Sequence, residues 1–251
     1  MTSVRESSQA PHSPLRAYYT CEADRREWVR NLFDRTAGDY ERMERLMAFG
    51  SGSWYRRCAL QRAGLQVGMS VVDVGVGTGL VAREAARIVG DGKLVLGVDP
   101  SSGMIENATV PPGVRLASGN AESIPTPDAS VDFLSMGYAL RHIGDLTAAF
   151  REFSRVLKPG GRVCLLEITS PRAVVPRFML KAYMRGVVPI LARLVTRQRR
   201  VPELMRYYWD TIEACVPPRS ILDALVAAGF VEVIRYVEHG VFSEYRASKP
   251  H

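Results

Sequence analysis

Apolar and polar positions along this chain fall into blocks that switch between two periods, and the switching predicts its architecture. Helical spacing fills about residues 23–64 in two or three pieces. A short apolar run at 70–74 reads as a strand, a helical pattern follows at about 79–89, and Lys93–Val98 reads as a second strand with a short helix from Ser101. Val114–Ala117 and Val131–Met136 are further strands, and Asp145–Leu157 returns to the helical period. The turn Lys158-Pro159-Gly160-Gly161 is expected to stop that helix abruptly before a fifth strand over Arg162–Ile168. About fifty residues, largely helical, intervene before a helix at 218–228 that ends on Gly229. Val231–Val237 and Val241–Arg246, separated by Glu238-His239-Gly240, should pair as an antiparallel hairpin. Alternation of this kind implies an α/β fold, a doubly wound and mainly parallel sheet.

The first strand ends in Asp73-Val74-Gly75-Val76-Gly77-Thr78-Gly79 and opens a helix. Closely spaced glycines at such a junction let backbone approach a ligand that a Cβ would block. A dinucleotide fingerprint needs glycine at the third position after Gly77, where this chain has Leu80. Gly79 gives instead the D-x-G-x-G-x-G form associated with S-adenosylmethionine; a plain tight turn is the alternative. Asp99 closes the second strand twenty residues past Gly79, where a carboxylate can accept hydrogen bonds from both hydroxyls of a ribose. Pro100-Ser101-Ser102 follows, so Asp99 is also a candidate helix cap. Asn120, after the third strand, offers a side-chain oxygen to an adenine amino group. Thr78, Pro100, Met104, Ala121, Glu122 and Ser135 complete the candidate cofactor-binding set.

The 251 residues suffice for one full core, and 47% hydrophobic with 24% charged residues describe an ordinary globular chain. Residues 1–22 read as a disordered Ser/Pro-rich tail without a secretory pattern, and 23–251 as a single domain. Four cysteines and four histidines are scattered, so neither a disulfide framework nor a metal site is expected, and a cytoplasmic setting fits. The net charge of +7 is unevenly placed: 171–202 holds eight Lys or Arg and no acid, leaving −1 for the rest. Confinement of the charge to one stretch interleaved with apolar residues argues against nucleic acid. That stretch reads either as a lid over an apolar substrate that also rests on an anionic bilayer, or as an amphipathic helix packed on the core. Pro189 is expected to kink or interrupt it.

Together these pieces resemble the ubiquinone/menaquinone biosynthesis C-methyltransferase family from about Leu32 to Lys249. The stretches that carry the resemblance are Phe33–Trp54, Gly119–Pro127, Gly137–Asp145, Phe153–Pro171, and Ala228-Gly229-Phe230 with the Gly240-Val241 hairpin. The resemblance implies a seven-stranded Rossmann-like methyltransferase sheet with an antiparallel last strand, N-terminal helices, and a helical lid inserted after strand five over about 171–215. It implies S-adenosylmethionine as cofactor and a small aromatic or quinone-like acceptor. A membrane surface met through 171–202 and a second copy of the chain are further candidate partners. This chain departs from the family at three places. It has Val76 where Cys or Gly is usual, Tyr40-Glu41-Arg42-Met43-Glu44 where Y-D-x-M-N is usual, and His142 where Asn follows the family arginine, here Arg141. A specialised-metabolite acceptor would suit those changes.

Methyl transfer from a sulfonium needs alignment and exclusion of water more than a protein nucleophile. A base helps if the acceptor is a phenol, hydroquinol or enol, and His142 titrates in the right range. Arg141 could stabilise a phenolate or pair with Asp145, and Tyr40 could cover the cofactor or orient the acceptor. Met43, Met47, Phe49, Phe178, Tyr183, Met184, Tyr207, Tyr208 and Trp209 should divide between core and pocket. A nucleic-acid methyltransferase would carry an N/D-P-P-Y/F motif after strand four, and Ser135-Met136-Gly137-Tyr138 is not one. A non-catalytic protein on the same fold is the remaining alternative.

Overall fold

Both faces of the central sheet are apolar, because consecutive strand residues feed two separate clusters. Val72, Val74, Leu134, Met136, Val163 and Leu165 join helical Phe150, Phe153, Ile221 and Leu225 on one side. Val71, Phe133, Cys164 and Leu166 join Leu60, Val81, Ala82 and Ala85 on the other. Strands covered on both faces read as continuous apolar runs, which is how they stand out in this sequence.

The structure is a computed structural model and describes residues 9–47, 51–171, 173–195 and 201–251. Its elements are α1 (Glu22–Met47), α2 (Gly52–Arg62), β1 (Val71–Val74), α3 (Leu80–Val89), β2 (Val95–Asp99), α4 (Ser102–Glu106), β3 (Arg115–Ser118), β4 (Val131–Gly137) and α5 (Leu146–Val156). Then follow β5 (Leu157–Ile168), α6 (Val174–Ala182), α7 (Val188–Val195), α8 (Val201–Ala214), α9 (Pro218–Ala227), β6 (Val231–Glu238) and β7 (Phe242–Ser248). The sheet order is β3-β2-β1-β4-β5-β7-β6, with β7 antiparallel to both neighbours and β1–β5 parallel. Strand order reverses at β1, so the chain leaves β1 and β4 toward opposite faces and opens a crevice at their carboxyl ends.

A third apolar cluster lies in the helical layer: Val29, Leu32 and Met43 of α1, Val188 of α7, and Leu204, Tyr207 and Trp209 of α8. Among the described residues no helix is long and apolar enough to cross a membrane.

Three local features differ from expectation in whole or in part. Strand β5 starts at Leu157, directly after α5, and not at Arg162. Leu157 pairs with Val131, a bulge follows before Phe133 pairs with Arg162, and Gly160 and Gly161 bond to Lys249, so the glycine turn is absorbed into the sheet margin. Pro189 interrupts the α-helical ladder as expected, but without ending the rod: α6 runs into α7 through a π-turn at Tyr183–Val187, whose wider turn accommodates a residue that lacks an N–H.

The third concerns the N-terminus. Residues 1–8 lie outside the described residues, but from Gln9 onward the expected tail packs down as a strap. The Gln9 carbonyl accepts from Leu146 N–H at 2.9 Å, the Pro11 carbonyl from Val216 N–H at 2.8 Å, and Tyr18 donates to Asp210 at 2.7 Å. Tyr18 packs tilted against Trp28 and edge-on against Tyr207, and His12 and Tyr19 are buried, so a few aromatic anchors outweigh the Ser/Pro composition.

Truncation to Thr20 removes these hydrogen bonds, the Gln9 N–H bond to Asp145 and the ring contacts. It is expected to cost roughly 2–4 kcal/mol in urea unfolding; an unchanged midpoint would mean that the strap adds nothing to the fold.

Candidate active site

The crevice at the carboxyl ends of β1 and β4 is a cavity of about 400 Å³. Its floor is the turn after β1 (Gly75, Gly77), the tip of β2 (Asp99, Pro100), the loop after β3 (Asn120, Ala121, Glu122) and the end of β4 (Met136 to Ala139). Its roof is one stripe of α1, Arg26, Val29, Arg30, Phe33 and Tyr40, together with Tyr208 of α8. That stripe has helical spacing, so α1 lies along the cavity.

Asp99 organises the polar end. Its Oδ2 accepts from Gly77 N–H at 2.8 Å and its Oδ1 from Ser101 N–H at 2.9 Å. Ser101, not Asp99, is the N-cap of α4, its Oγ accepting from Met104 N–H at 3.0 Å. Gly77 has φ 54°, and a Cβ added there would meet no atom within 4 Å. Gly79 differs: it caps α3 with φ 92°, and a Cβ there would run into Val110. Only Gly77 thus borders open space. Burial pushes the Asp99 carboxyl up to about 6 and that of Asp73 up to about 7.

Not every expected cofactor residue reaches the cavity. Gly75, Gly77, Asp99, Pro100, Met104, Asn120, Ala121 and Glu122 line it. Asp73 and Ser135 are buried beneath it, joined by a 2.7 Å hydrogen bond, and Thr78 is buried as well. Asn120 Oδ1 already holds the N–H of Glu122 at 3.0 Å, which leaves one lone pair for a ligand. Glu122 Oε1 accepts from Gly144 N–H at 2.8 Å and Asp145 N–H at 3.2 Å, tying this loop to the one that carries His142.

The other end of the cavity is aromatic. His142 stacks on Tyr207 and Tyr208 at interplanar angles of 24° and 26°, with Phe33 edge-on. Its Nδ1 lies 3.2 Å from Tyr207 Oη, and its Nε2 is buried without a partner. Among the described residues, His142 is the only cavity-lining side chain with such an orphaned polar atom. Burial, and after it the charges of Arg141 and Arg25, hold its pKa well below 6.5, so the ring is neutral near pH 7. Tyr208 donates to Tyr40 Oη at 2.9 Å, leaving the Tyr40 proton free to point elsewhere. Burial pushes both phenols up, so both stay protonated.

Arg141 lines no part of the cavity. Its Nη1 meets Glu167 at 2.9 Å in a pair that is 2% and 1% exposed, while Asp145, its expected alternative partner, caps α5 through Thr147 N–H. Arg25 donates to the carbonyls of Arg141 and Ile143 at 2.9 Å each, so α1 grips the turn that presents His142.

Tyr138 was missed by sequence reading as a site residue. Its φ of 61° is rare for a non-glycine residue, and it brings the ring to the cavity with the Arg56 guanidinium 5.6 Å from the ring centre. Of the expected lid side chains that lie among the described residues, Tyr208 alone lines the cavity; Met43, Met184, Tyr207 and Trp209 are buried in the helical layer, Tyr183 packs partly buried against it, and Phe178 is exposed. Phe49, the Met47 side chain, and positions 172 and 196–200 of the expected insertion lie outside the described residues.

The family model for the ubiE/COQ5 methyltransferase family matches residues 20–249. The ubiquinone/menaquinone biosynthesis C-methyltransferase UbiE of Shewanella woodyi is 30% identical over 235 residues, covering 90% of this chain and 92% of the relative. The protein of the same name from Shewanella oneidensis is 30% identical over 224 residues, 86% of this chain and 88% of the relative. A solved SAM-dependent methyltransferase from Thermotoga maritima matches with a TM-score of 0.61 at 23% identity, over 87% of this chain and 98% of that one. Phosphoethanolamine N-methyltransferase 2 of Haemonchus contortus, solved with S-adenosyl-L-methionine, matches with a TM-score of 0.55 at 17% identity, over 79% of this chain and 53% of that one. At these identities the solved structures establish the fold.

Asp99 and Asp73 predict a pH dependence with opposite signs for binding and folding. A ligand of net positive charge favours both carboxylates ionised, so S-adenosylmethionine is expected to release protons on binding near pH 6–7. Its affinity should fall by up to about tenfold per pH unit below pH 6. Calorimetry in buffers of different ionisation heat measures both, and Asp99→Asn should flatten the profile below pH 6. Without ligand, the folded chain keeps protons that an unfolded carboxyl of pKa 3.8 has released. These two groups therefore add stability as pH falls from 7 toward 4, and that stability is lost as pH rises through 6–7.

Proposed function

The chain belongs to the ubiE/COQ5 methyltransferase family, and from that premise we propose that its acceptor is a small aromatic, quinol-like molecule whose hydroxyl hydrogen-bonds to His142. The enzyme is an S-adenosylmethionine-dependent methyltransferase, and the cofactor supplies an activated methyl group on a sulfonium. The residues present fit that group. Gly77 leaves backbone open to the cavity where any Cβ would project, Asp99 keeps one lone pair on each oxygen for hydroxyl donors, and the Asn120–Glu122 loop borders the same space.

The observation that carries the acceptor assignment is the orphaned Nε2 of His142 in an aromatic chamber. A buried imidazole nitrogen without a partner costs free energy unless a ligand supplies one. A flat ring bearing a hydroxyl satisfies it, with Phe33, Tyr138 and Tyr208 offering faces and edges to that ring. Tyr40 can donate its free proton to a second acceptor oxygen. Because burial, and after it the nearby arginines, disfavour the imidazolium, His142 is a weak base. Its main work is to orient the hydroxyl and to take the proton as electron density flows to the reacting atom. The Arg141–Glu167 pair acts behind Tyr208, whose ring lies 5.7 Å from the guanidinium, and holds this wall in place.

The departures from the family pattern sharpen this assignment. Val76 is buried against Gly97, Glu41 pairs with Arg83 at 2.5 Å, and Glu44 pairs with Arg56 at 2.7 Å. None of the three lines the cavity, whereas His142 does. Acceptor choice is therefore concentrated at that position.

Incubation with labelled S-adenosylmethionine and a panel of hydroquinones, naphthohydroquinones, phenols and amines tests the reading; label is expected on hydroxylated rings, and label on amines alone would refute it. His142→Ala should lower kcat by about ten- to a hundredfold while leaving the Kd for S-adenosylmethionine within about threefold. Equal loss of both would make His142 structural. Arg141→Met leaves Glu167 buried and unpaired, and is expected to destabilise the fold by about 3–5 kcal/mol in thermal or urea unfolding.

A further inference from the structure

Among the described residues, helices α6 and α7 contribute no side chain to the cavity. Their outward side is apolar: Val174 and Phe178 are 81% and 70% exposed, and Val175, Met179, Val187 and Ile190 are exposed with them. No residue of α6 is buried; Leu180 turns toward the core of the helical layer, and beyond the end of α6 Tyr183, Met184 and Val188 anchor the rod there. Positions 173–179 are exposed on every side, so the first two turns of α6 protrude. Isolated apolar side chains are common on protein surfaces, but six on one continuous helical rod mark a contact surface. The flank is basic. Arg177, Lys181 and Arg185 recur at four-residue intervals; the first two reach Glu213 and the third Asp210, and each keeps 41–51% of its side chain exposed.

We infer that this face is a membrane-docking element, and that its occupant is the interfacial layer of an anionic lipid bilayer. Charge favours that occupant. The sequence from 171 to 202 has eight basic residues and no acid, which anionic headgroups attract. A second copy packed face to face would instead bring the same cations together. Shape favours it too, because a helix end that protrudes on all sides suits insertion between headgroups better than packing on a flat protein surface. The long Arg and Lys stems let the apolar side chains sink while the charged heads stay at headgroup level. The rod carries three cations within α6 and the π-turn, and it fails the criterion for a spanning helix, so it lies on the bilayer. This surface is independent of which acceptor the cavity takes.

The test is sedimentation of the full chain with vesicles of phosphatidylcholine containing about one-third phosphatidylglycerol, against pure phosphatidylcholine, at low and high salt. The wild type is expected to partition at least about tenfold more strongly onto the anionic vesicles and to be released by salt. The double substitution Val174→Glu with Phe178→Glu should reduce partitioning about tenfold or more, with S-adenosylmethionine affinity and melting temperature unchanged. Phe178→Trp should show a blue-shifted emission on those vesicles, a gain of signal that a misfolded variant would not mimic. Wild type left in the supernatant would overturn the inference. So would equal partitioning of the double variant, or a dimer in sedimentation equilibrium that the double variant dissolves.

Discussion

One buried carboxylate joins the parts of this molecule that must not move relative to one another. Asp99 ends β2, accepts the N–H of Gly77 in the turn after β1, and accepts the N–H of Ser101 at the start of α4. Ser101 in turn donates its hydroxyl to Asp34 of α1 at 2.6 Å, and Asp34 also accepts from Gly103 N–H at 2.9 Å. A short chain of hydrogen bonds therefore links the floor of the cavity to its roof. Burial raises the pKa of Asp99, so holding it ionised has a cost, and the two backbone donors offset part of it. The same carboxylate keeps unused lone pairs that border the cavity, which lets the hinge point double as a binding group.

The sequence-level reading succeeded where a local pattern has one physical interpretation. Strands β1, β2 and β4 are apolar on both faces, α5 has a clear helical stripe, and the antiparallel β6–β7 pair follows from its short turn. It failed where a long-range partner decides. Gly79 has the same letter as Gly77, but Val110 packs behind it and makes it structural. Asp73 belongs to the motif, yet it faces Ser135 under the floor. The strap from Gln9 to Cys21 is poor in long-range signal until Leu146, Val216 and Asp210 supply partners from three distant segments. Tyr138 became a site residue through a left-handed backbone conformation, and composition carries no trace of that.

The family departures show how sequence change can be split between stability and specificity. Glu41 is one methylene longer than the usual Asp, and Glu44 is both longer than the usual Asn and charged where Asn is not; they pair with Arg83 on α3 and Arg56 on α2. These pairs fasten the second half of α1 to the layer beneath it. Arg56 in turn backs the Tyr138 ring, so the fastening extends to the cavity wall. With the roof helix held in this way, position 142 can change its chemistry without loosening the chamber around it.

The two ends of the cavity divide the electrostatics between them. At one end Asp99 lines the cavity with Asp73 buried beneath, and both carboxylates carry pKa values raised close to neutrality, so they can follow a cation by releasing protons. At the other end His142 is held neutral by burial and adjacent arginines, while Tyr40 and Tyr208 are held as intact phenols. The rings of the aromatic end consequently add no full charge, and the charges of the roof come from Arg26, Glu27 and Arg30 of α1. An aromatic chamber next to a pocket that holds two carboxylates suits a reaction that joins a positively charged donor to a neutral or anionic acceptor, because charge is dispersed or neutralised along its course and less solvent has to reorganise. The grip of Arg25 on the His142 turn and of Glu122 on the neighbouring loop holds the wall of that chamber in register with the roof helix, so the donor and acceptor ends keep a fixed relation.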